Sequence, residues 1–173
     1  MSRTTTRYRF IAVIATVLLI TGCTVSYKFN GASIDYTKIK TIQIKDFPIR
    51  TAYVWGPMSS IFNNQLKDIF GSQTKLTQVK RDGDLRIEGE ITQYQQRNKS
   101  VSAEGYSSQV ELSMTVNVRF TNTKNHDEDF ERKFTATESY ESTMQLSAVQ
   151  EELVTQMSKD ICEQIFNATV SNW

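Results

Sequence analysis

Cys23, His126 and Cys162 are the side chains of this 173-residue chain best suited to nucleophilic, basic or covalent chemistry, and their settings differ sharply. His126 is the one histidine and lies in "TKNHDED", a polar run between two strand patterns, where a histidine is ordinarily solvated. Asp127, Glu128 and Asp129 beside it lack the glycine and distal glutamate of an EF-hand loop, so the segment reads as a turn and no metal is expected. Cys162 falls on an apolar stripe with helical spacing, the setting of an inert core thiol. Serines are plentiful, but there is no G-x-S-x-G elbow and no histidine placed to activate one. A phosphate-cradling Gly-rich loop is missing as well, and "DGD" at 82–84 has the chemistry of a turn. These settings predict a protein that is not an enzyme and carries no cofactor. A hydrolase reading would have to rest on His126.

Cys23 stands apart from the other two. Arg3, Arg7 and Arg9 precede an apolar run from Phe10 to Ile20, and no acidic residue occurs before Asp35. A basic start followed by a short apolar stretch has the form of a secretory signal. The run is about half the roughly 20 residues that a spanning helix needs. It ends in Ile20-Thr21-Gly22-Cys23, which resembles the bacterial lipobox: the thiol is diacylated, the leader is cut ahead of the cysteine, and the new amine is acylated. Two or more acyl chains hold a protein firmly to a bilayer, at about 0.8 kcal/mol per buried CH₂. Thr24 to Gly31 contain no Asp or Glu, which favours sorting to the outer membrane, on its periplasmic side. The expected organisation is a signal peptide at 1–22, a lipidated tether at 23–38 and a single domain at 39–173.

Without residues 1–22 the chain keeps all 19 acidic residues and loses three of its 20 basic ones, so 17 minus 19 leaves −2. That near-neutral balance gives no reason to expect a nucleic-acid partner. If Cys23 carries lipid, Cys162 has no disulfide partner, and the domain must hold together by packing alone.

The elements that must position any site follow from periodicity. "IKTIQIKDF" alternates through Ile42 and Ile44 as a strand and stops at Phe47-Pro48, where proline removes a ladder donor. "GPMSSIFNNQLKDIFG" reads as a helix, with Pro57 at its first position and Gly71 just past its end. Met58, Ile61, Phe62, Leu66, Ile69 and Phe70 form its apolar stripe, opposite Asn63, Asn64, Lys67 and Asp68. A short strand is expected near Leu76–Val79. The turn "RDGD" then leads into a strand with Leu85, Ile87, Gly89 and Ile91 on one face. Val110, Leu112, Met114, Val116, Val118 and Phe120 alternate with polar residues, which predicts a half-buried strand with one wet face. The returning strand puts Phe130, Phe134 and Ala136 on one face, where Arg132 interrupts and suggests an edge or a partly exposed position. A final helix repeats Val149, Leu153, Met157, Ile161 and Ile165, widened by Val154, Cys162 and Phe166. Ser147 and Gln150 have capping-box spacing, and Glu151 and Glu152 suit its positive end. The order predicts an α+β domain: two amphipathic helices on one face of a mixed, mostly antiparallel sheet of four or five strands.

Binding signals are softer. Lys75, Lys80, Arg81 and Arg86 gather around the turn into the second long strand, Arg97 and Lys99 lie farther along it, and Arg132 and Lys133 lie on the return. Such side chains are either ordinary surface charge or forks for lipid phosphates. Tyr27, Phe29, Tyr53 and Trp55 fall outside the periodic segments, either to dock a partner or to fold back on the core.

The start "CTVSYKFNGASI", the segment "LTQVKRDGDLRIEGEITQY" and the close "KDICEQIFNATVSNW" together resemble the LPS-assembly lipoprotein family LptE, in a branch outside the enterobacteria. The carrying residues are Cys23, Tyr27, Phe29, Gly31, Ile34, Gly83, Asp84, Leu85, Glu88, Gly89, Ile91, Tyr94, Asp160, Ile161, Asn172 and Trp173. The resemblance implies a two-helix, mixed-sheet sandwich that plugs the outer-membrane barrel LptD, helps it assemble and assists delivery of lipopolysaccharide to the outer leaflet. Arg81, Arg86, Arg132 and Lys133 are candidate lipopolysaccharide contacts on charge alone. A periplasmic lipoprotein scaffold or small-ligand carrier is the alternative, and a deep apolar pocket between helices and sheet would favour it.

Overall fold

The computed structural model of the protein describes residues 34–101 and 107–170. The elements run β1 (Thr41–Ile44), α1 (Pro57–Gln73), β2 (Thr77–Gln78), β3 (Leu85–Val101), β4 (Ser107–Asn122), a 3-10 turn (His126–Glu128), β5 (Phe130–Glu141) and α2 (Leu146–Val170). The five strands form one sheet in the order β2-β1-β3-β4-β5. β1 is parallel to β2 and β3, while β3, β4 and β5 are antiparallel neighbours. This is the α+β arrangement expected from the sequence.

Period-2 patterning decides which face of the sheet the helices cover. On β3, Leu85, Ile87 and Ile91 are buried. A register shift between Ile91 and Gln93 then moves Tyr94, rather than Gln93, onto the buried face. On β4, Leu112, Met114, Val116, Val118 and Phe120 are buried, and Val110 is half-buried. The opposite face is drier than alternation predicts: Ser113 and Thr115 are only 7% and 8% exposed. Thr115 shares a 2.9 Å hydroxyl pair with Thr135 on β5, so its polar group is satisfied within the sheet surface. β5 is an edge strand, and the exposed Arg132 interrupts its apolar face as an edge position permits.

The helices cover one face, and three details depart from expectation. Helix α1 does not stop at Gly71 but continues to Gln73, because Thr74 supplies the end. Its backbone N–H and its hydroxyl both donate to Phe70 O, at 3.2 and 2.6 Å. Asn63, expected on the wet side, is buried. Its Oδ1 accepts from Phe47 N at 2.8 Å, its amide donates to Ser59 Oγ at 3.0 Å, and Ser59 Oγ donates to Phe47 O at 2.8 Å. The β1 ladder ends at Ile44 and pairing with β3 resumes only at Pro48, whose carbonyl accepts from Ile91 N, so in the gap between them side chains of α1 satisfy Phe47's backbone. Helix α2 begins at Leu146, which places Ser147 inside its first turn and Glu151 and Glu152 beyond it. Gln150 turns inward, and its amide donates to the Tyr94 hydroxyl at 2.9 Å. The two helices meet where Cys162 Sγ lies 3.9 Å from Phe62 O and the Phe70 and Phe166 rings are 5.3 Å apart.

The chain joins this sheet through Asp84. Its Oδ2 accepts from Lys40 N, Thr41 N and Thr41 Oγ1 at 2.9–3.1 Å, and its Oδ1 pairs with Lys124 at 2.9 Å. Its carbonyl accepts from both Thr123 N and Thr123 Oγ1 at 2.9 Å. One residue thus ties the entry to β1, the start of β3 and the end of β4. Ile34 and Ile39, just ahead of this junction, are buried in the core.

Candidate functional site

The turn before β3 is shaped by two residues. Asp82 adopts a left-handed backbone (φ 54°), and a Cβ on Gly83 would lie 2.5 Å from Gln43 N, so the turn presses directly onto β1. That contact holds Arg81 and Arg86 over the helix-free face of the sheet, around a shallow cleft shared with Gln43, Lys45, Asp82, Glu88 and Thr121. Arg86 Nε donates to Gly83 O at 3.3 Å, and its guanidinium lies 3.6 Å from Asp82 Oδ1. Arg81 and Arg86 are therefore brought together, as their placement around one turn predicts.

Arg132 and Lys133 do not join them. Arg132 sits over the Phe130 ring at 4.9 Å and lines a separate cleft with Asp127, Glu128, Asp129 and Thr169. Lys133 is on the helix-free face with Arg86 but on the edge strand β5, two strands away, paired in register with Asn117 and exposed. Cys23 lies outside the described residues, as do Tyr27 and Phe29.

A charged ladder that sequence reading missed crosses the same open face. Lys45 reaches Glu88 at 2.6 Å, Arg119 reaches Glu88 at 3.4 Å and Glu131 at 3.0 Å, and the Asn117 amide donates to Glu131 at 2.8 Å. The Lys45 hydrogen bond holds the Glu88 carboxyl below its usual range. The Asn117 amide, followed by Arg119, does the same for Glu131, and Glu131 in turn raises Arg119. Its signal in sequence is invisible without register: Glu88, Arg119 and Glu131 are 31 and 12 residues apart and meet only because β3, β4 and β5 align them. Because its charges already neutralise one another, this ladder is less available to an incoming phosphate than Arg81 and Arg86.

The two reactive side chains among the described residues have unlike settings. His126 is exposed in its turn, with Nδ1 2.9 Å from Asp129 Oδ2. Cys162 is buried between the helices, and burial, with a smaller contribution from Glu163, pushes its thiol up to about 12. Among the described residues no group of three or more His, Cys, Asp or Glu side chains converges as metal ligands would. The space between helices and sheet is filled by fully buried side chains, including Phe47, Phe62, Phe70, Phe120 and Met114. No described helix is long and apolar enough to cross a membrane.

About midway along β3 the loop before α1 presents an aromatic pair. Tyr53, 50% exposed, stacks on Tyr94 with ring centroids 5.8 Å apart and planes 16° from parallel. Burial pushes the Tyr94 hydroxyl up to about 12, partly offset by its bond from Gln150. Trp55 packs partly buried against the core, while Val54 remains 60% exposed.

No curated protein is similar enough to count as a match. Among solved structures, a hypothetical protein, CT253, from Chlamydia trachomatis shares the fold with a TM-score of 0.54 and 10% identity, over 78% of this chain and 99% of that one. A minor lipoprotein from Acinetobacter baumannii matches at TM-score 0.49 and 17% identity, over 73% and 89% of the two chains. Rare lipoprotein B from Shewanella oneidensis matches at TM-score 0.49 and 14% identity, over 73% and 92%. The family model described as "LptE: Lipopolysaccharide-assembly" matches residues 39–169, which is most of the chain and all of its sheet and nearly all of both helices. The chain therefore belongs to the LptE lipopolysaccharide-assembly family.

Proposed function

We propose that this protein is an outer-membrane lipoprotein, acylated on Cys23 and facing the periplasm, that plugs and helps assemble an LptD-type barrel and assists lipopolysaccharide transport to the outer leaflet. The observation that carries this reading is the family match across the whole sheet and both helices. The filled interior supports it over a small-ligand carrier, which would need an internal cavity. The buried, protonated thiol of Cys162 supports a role in which that cysteine is not a nucleophile. Mechanically, a rigid sandwich of this kind contributes shape, and an acyl anchor raises its effective concentration beside a membrane-embedded partner. Arg81 and Arg86, poised together on the open face, are the side chains best placed to meet lipopolysaccharide phosphates. The experiment is affinity recovery of the tagged, cell-derived protein. An LptD-type barrel in near-equal amount supports the proposal, and recovery without any barrel removes it.

A further inference from the structure

Arg86 lies on the helix-free face of the sheet between two uncharged neighbours in register, Gln43 on β1 and Thr121 on β4. The carboxylates two residues to either side of it are already engaged. Asp84 accepts from Lys40 N, Thr41 and Lys124, and Glu88 is shared by Lys45 and Arg119. The anion that Arg86 does meet is Asp82, whose Oδ1 lies 3.6 Å from Nη2, while Nε donates to Gly83 O at 3.3 Å. Nε and Nη2 form one edge of the guanidinium, an edge that can grip a phosphate through two oxygens. The turn itself therefore supplies both acceptors on that edge, a backbone carbonyl and a carboxylate.

We infer that Asp82 is a built-in competitor at the arginine cleft: its carboxylate occupies the gripping edge of Arg86 until an incoming phosphate group displaces it, which limits how tightly the cleft binds. This deepens the proposed function and rests on its reading of Arg81 and Arg86. The backbone places the competitor, since Asp82 is left-handed at φ 54° and Gly83 is pressed onto Gln43 N with no room for a Cβ. Displacement is easy, because the Asp82 side chain is 91% exposed and an exposed pair of this spacing is weak. Arg81, with no ion-pair partner among the described residues, adds an uncommitted cation beside it. The cleft is lined by three positive side chains, Lys45, Arg81 and Arg86, against Asp82 and Glu88, so neutralising Asp82 leaves one negative charge to oppose a phosphate instead of two. A cleft that hands its ligand onward must release as well as capture, and an internal anion on the same edge serves release.

The test is a double-mutant cycle on the full-length protein, read as retention on immobilised lipopolysaccharide and, separately, as displacement by inorganic phosphate. Asp82→Asn keeps the side chain's size and a residue type that tolerates the left-handed backbone, so the melting temperature should be unchanged. It is expected to tighten retention about two- to fivefold, the range set by an exposed ion pair. The gain should vanish in the Arg86→Gln background, because the competitor acts through that guanidinium. A gain for lipopolysaccharide alone identifies a lipid headgroup as the source of the phosphate, and a gain for inorganic phosphate as well identifies the phosphate group in general; either supports the inference. Retention that depends on the arginines but is unchanged or weakened by Asp82→Asn overturns the inference and leaves the reading of Arg81 and Arg86 standing. An equal gain with and without Arg86 also overturns it, as a plain effect of net charge. If the unaltered protein is not retained, or Arg81→Glu with Arg86→Glu does not weaken retention, the reading of the arginines falls and the inference with it.

Discussion

Thr41 and Asp84 exchange three hydrogen bonds across 43 residues of sequence. Thr41 N and Thr41 Oγ1 both donate to Asp84 Oδ2, and Asp84 N donates back to Thr41 Oγ1. The threonine hydroxyl is thus donor and acceptor at once, and the carboxylate, only 18% exposed, is also paired with Lys124. β1 has just four residues, so this junction rather than strand length fixes it beside β3.

Replacing Asp84 by Asn should destabilise the domain by on the order of 2 kcal/mol, since charge-assisted bonds become neutral ones and one amide hydrogen faces donors. The effect should depend on pH. The bond from Lys40 N, then those from Lys124 and Thr41, hold the folded carboxyl far below its ordinary value, against a raising contribution from burial. A depressed folded value contributes stability above the unfolded value of about 3.9, and that stability is lost as pH falls through it toward the folded one. Denaturant titrations should therefore show the largest gap between wild type and Asp84→Asn above about pH 5, narrowing toward pH 3. A gap that stays constant across this range would contradict the assignment.

Gly89 should tolerate no side chain. A Cβ there would lie 2.0 Å from Asn117 O and 2.5 Å from Phe47 Cε1, because the Phe47 ring crosses β3 directly over it. Gly89→Ala should cost about 3 kcal/mol or more, since backbone on the neighbouring strand has to move as well as the ring. Thermal melting of the two proteins side by side gives the answer, and a loss below about 1 kcal/mol would mean that the Phe47 packing is wrong.

Cys162 should report on unfolding. Its thiol is buried and pushed up to about 12, so almost no thiolate is present at neutral pH. Alkylation at pH 8 should run at least about a hundredfold slower in the folded protein than in denaturant. Rapid labelling of the native protein, followed by peptide mapping to Cys162, would show that the helix interface opens readily.

Reversing the two arginines of the turn, Arg81→Glu with Arg86→Glu, should weaken retention on immobilised lipopolysaccharide at least about tenfold and leave the fold intact, because both side chains are exposed. The pair Arg132→Glu and Lys133→Glu should weaken it less, since these two point to opposite faces of β5. Equal losses from the two pairs would argue for a diffuse charge effect.

Much of this was legible in the chain. Strict alternation from Val110 to Phe120 identified β4 and its buried face, and the arginine at 132 marked β5 as an edge. The grouping of Arg81 and Arg86 followed from one turn, and a period of two already separates Arg132 from Lys133. The polar residues of the interior were not legible. Asn63 and Gln150 look solvent-facing by helical pattern, and their burial depends on Phe47, 16 residues away, and on Tyr94, 56 residues away. The Lys45–Glu88–Arg119–Glu131 ladder needs strand register, which local sequence does not carry. Helix α1 overran Gly71 because the Thr74 hydroxyl, a single side chain, outweighed the usual preference for glycine at a helix end.

Depletion of the protein in its own cells, with surface lipopolysaccharide and barrel abundance measured together, tests the central claim most directly. A fall in both, restored by the wild-type chain but not by Cys23→Ala, is the predicted result. Unchanged surface lipopolysaccharide and an undiminished barrel would contradict it.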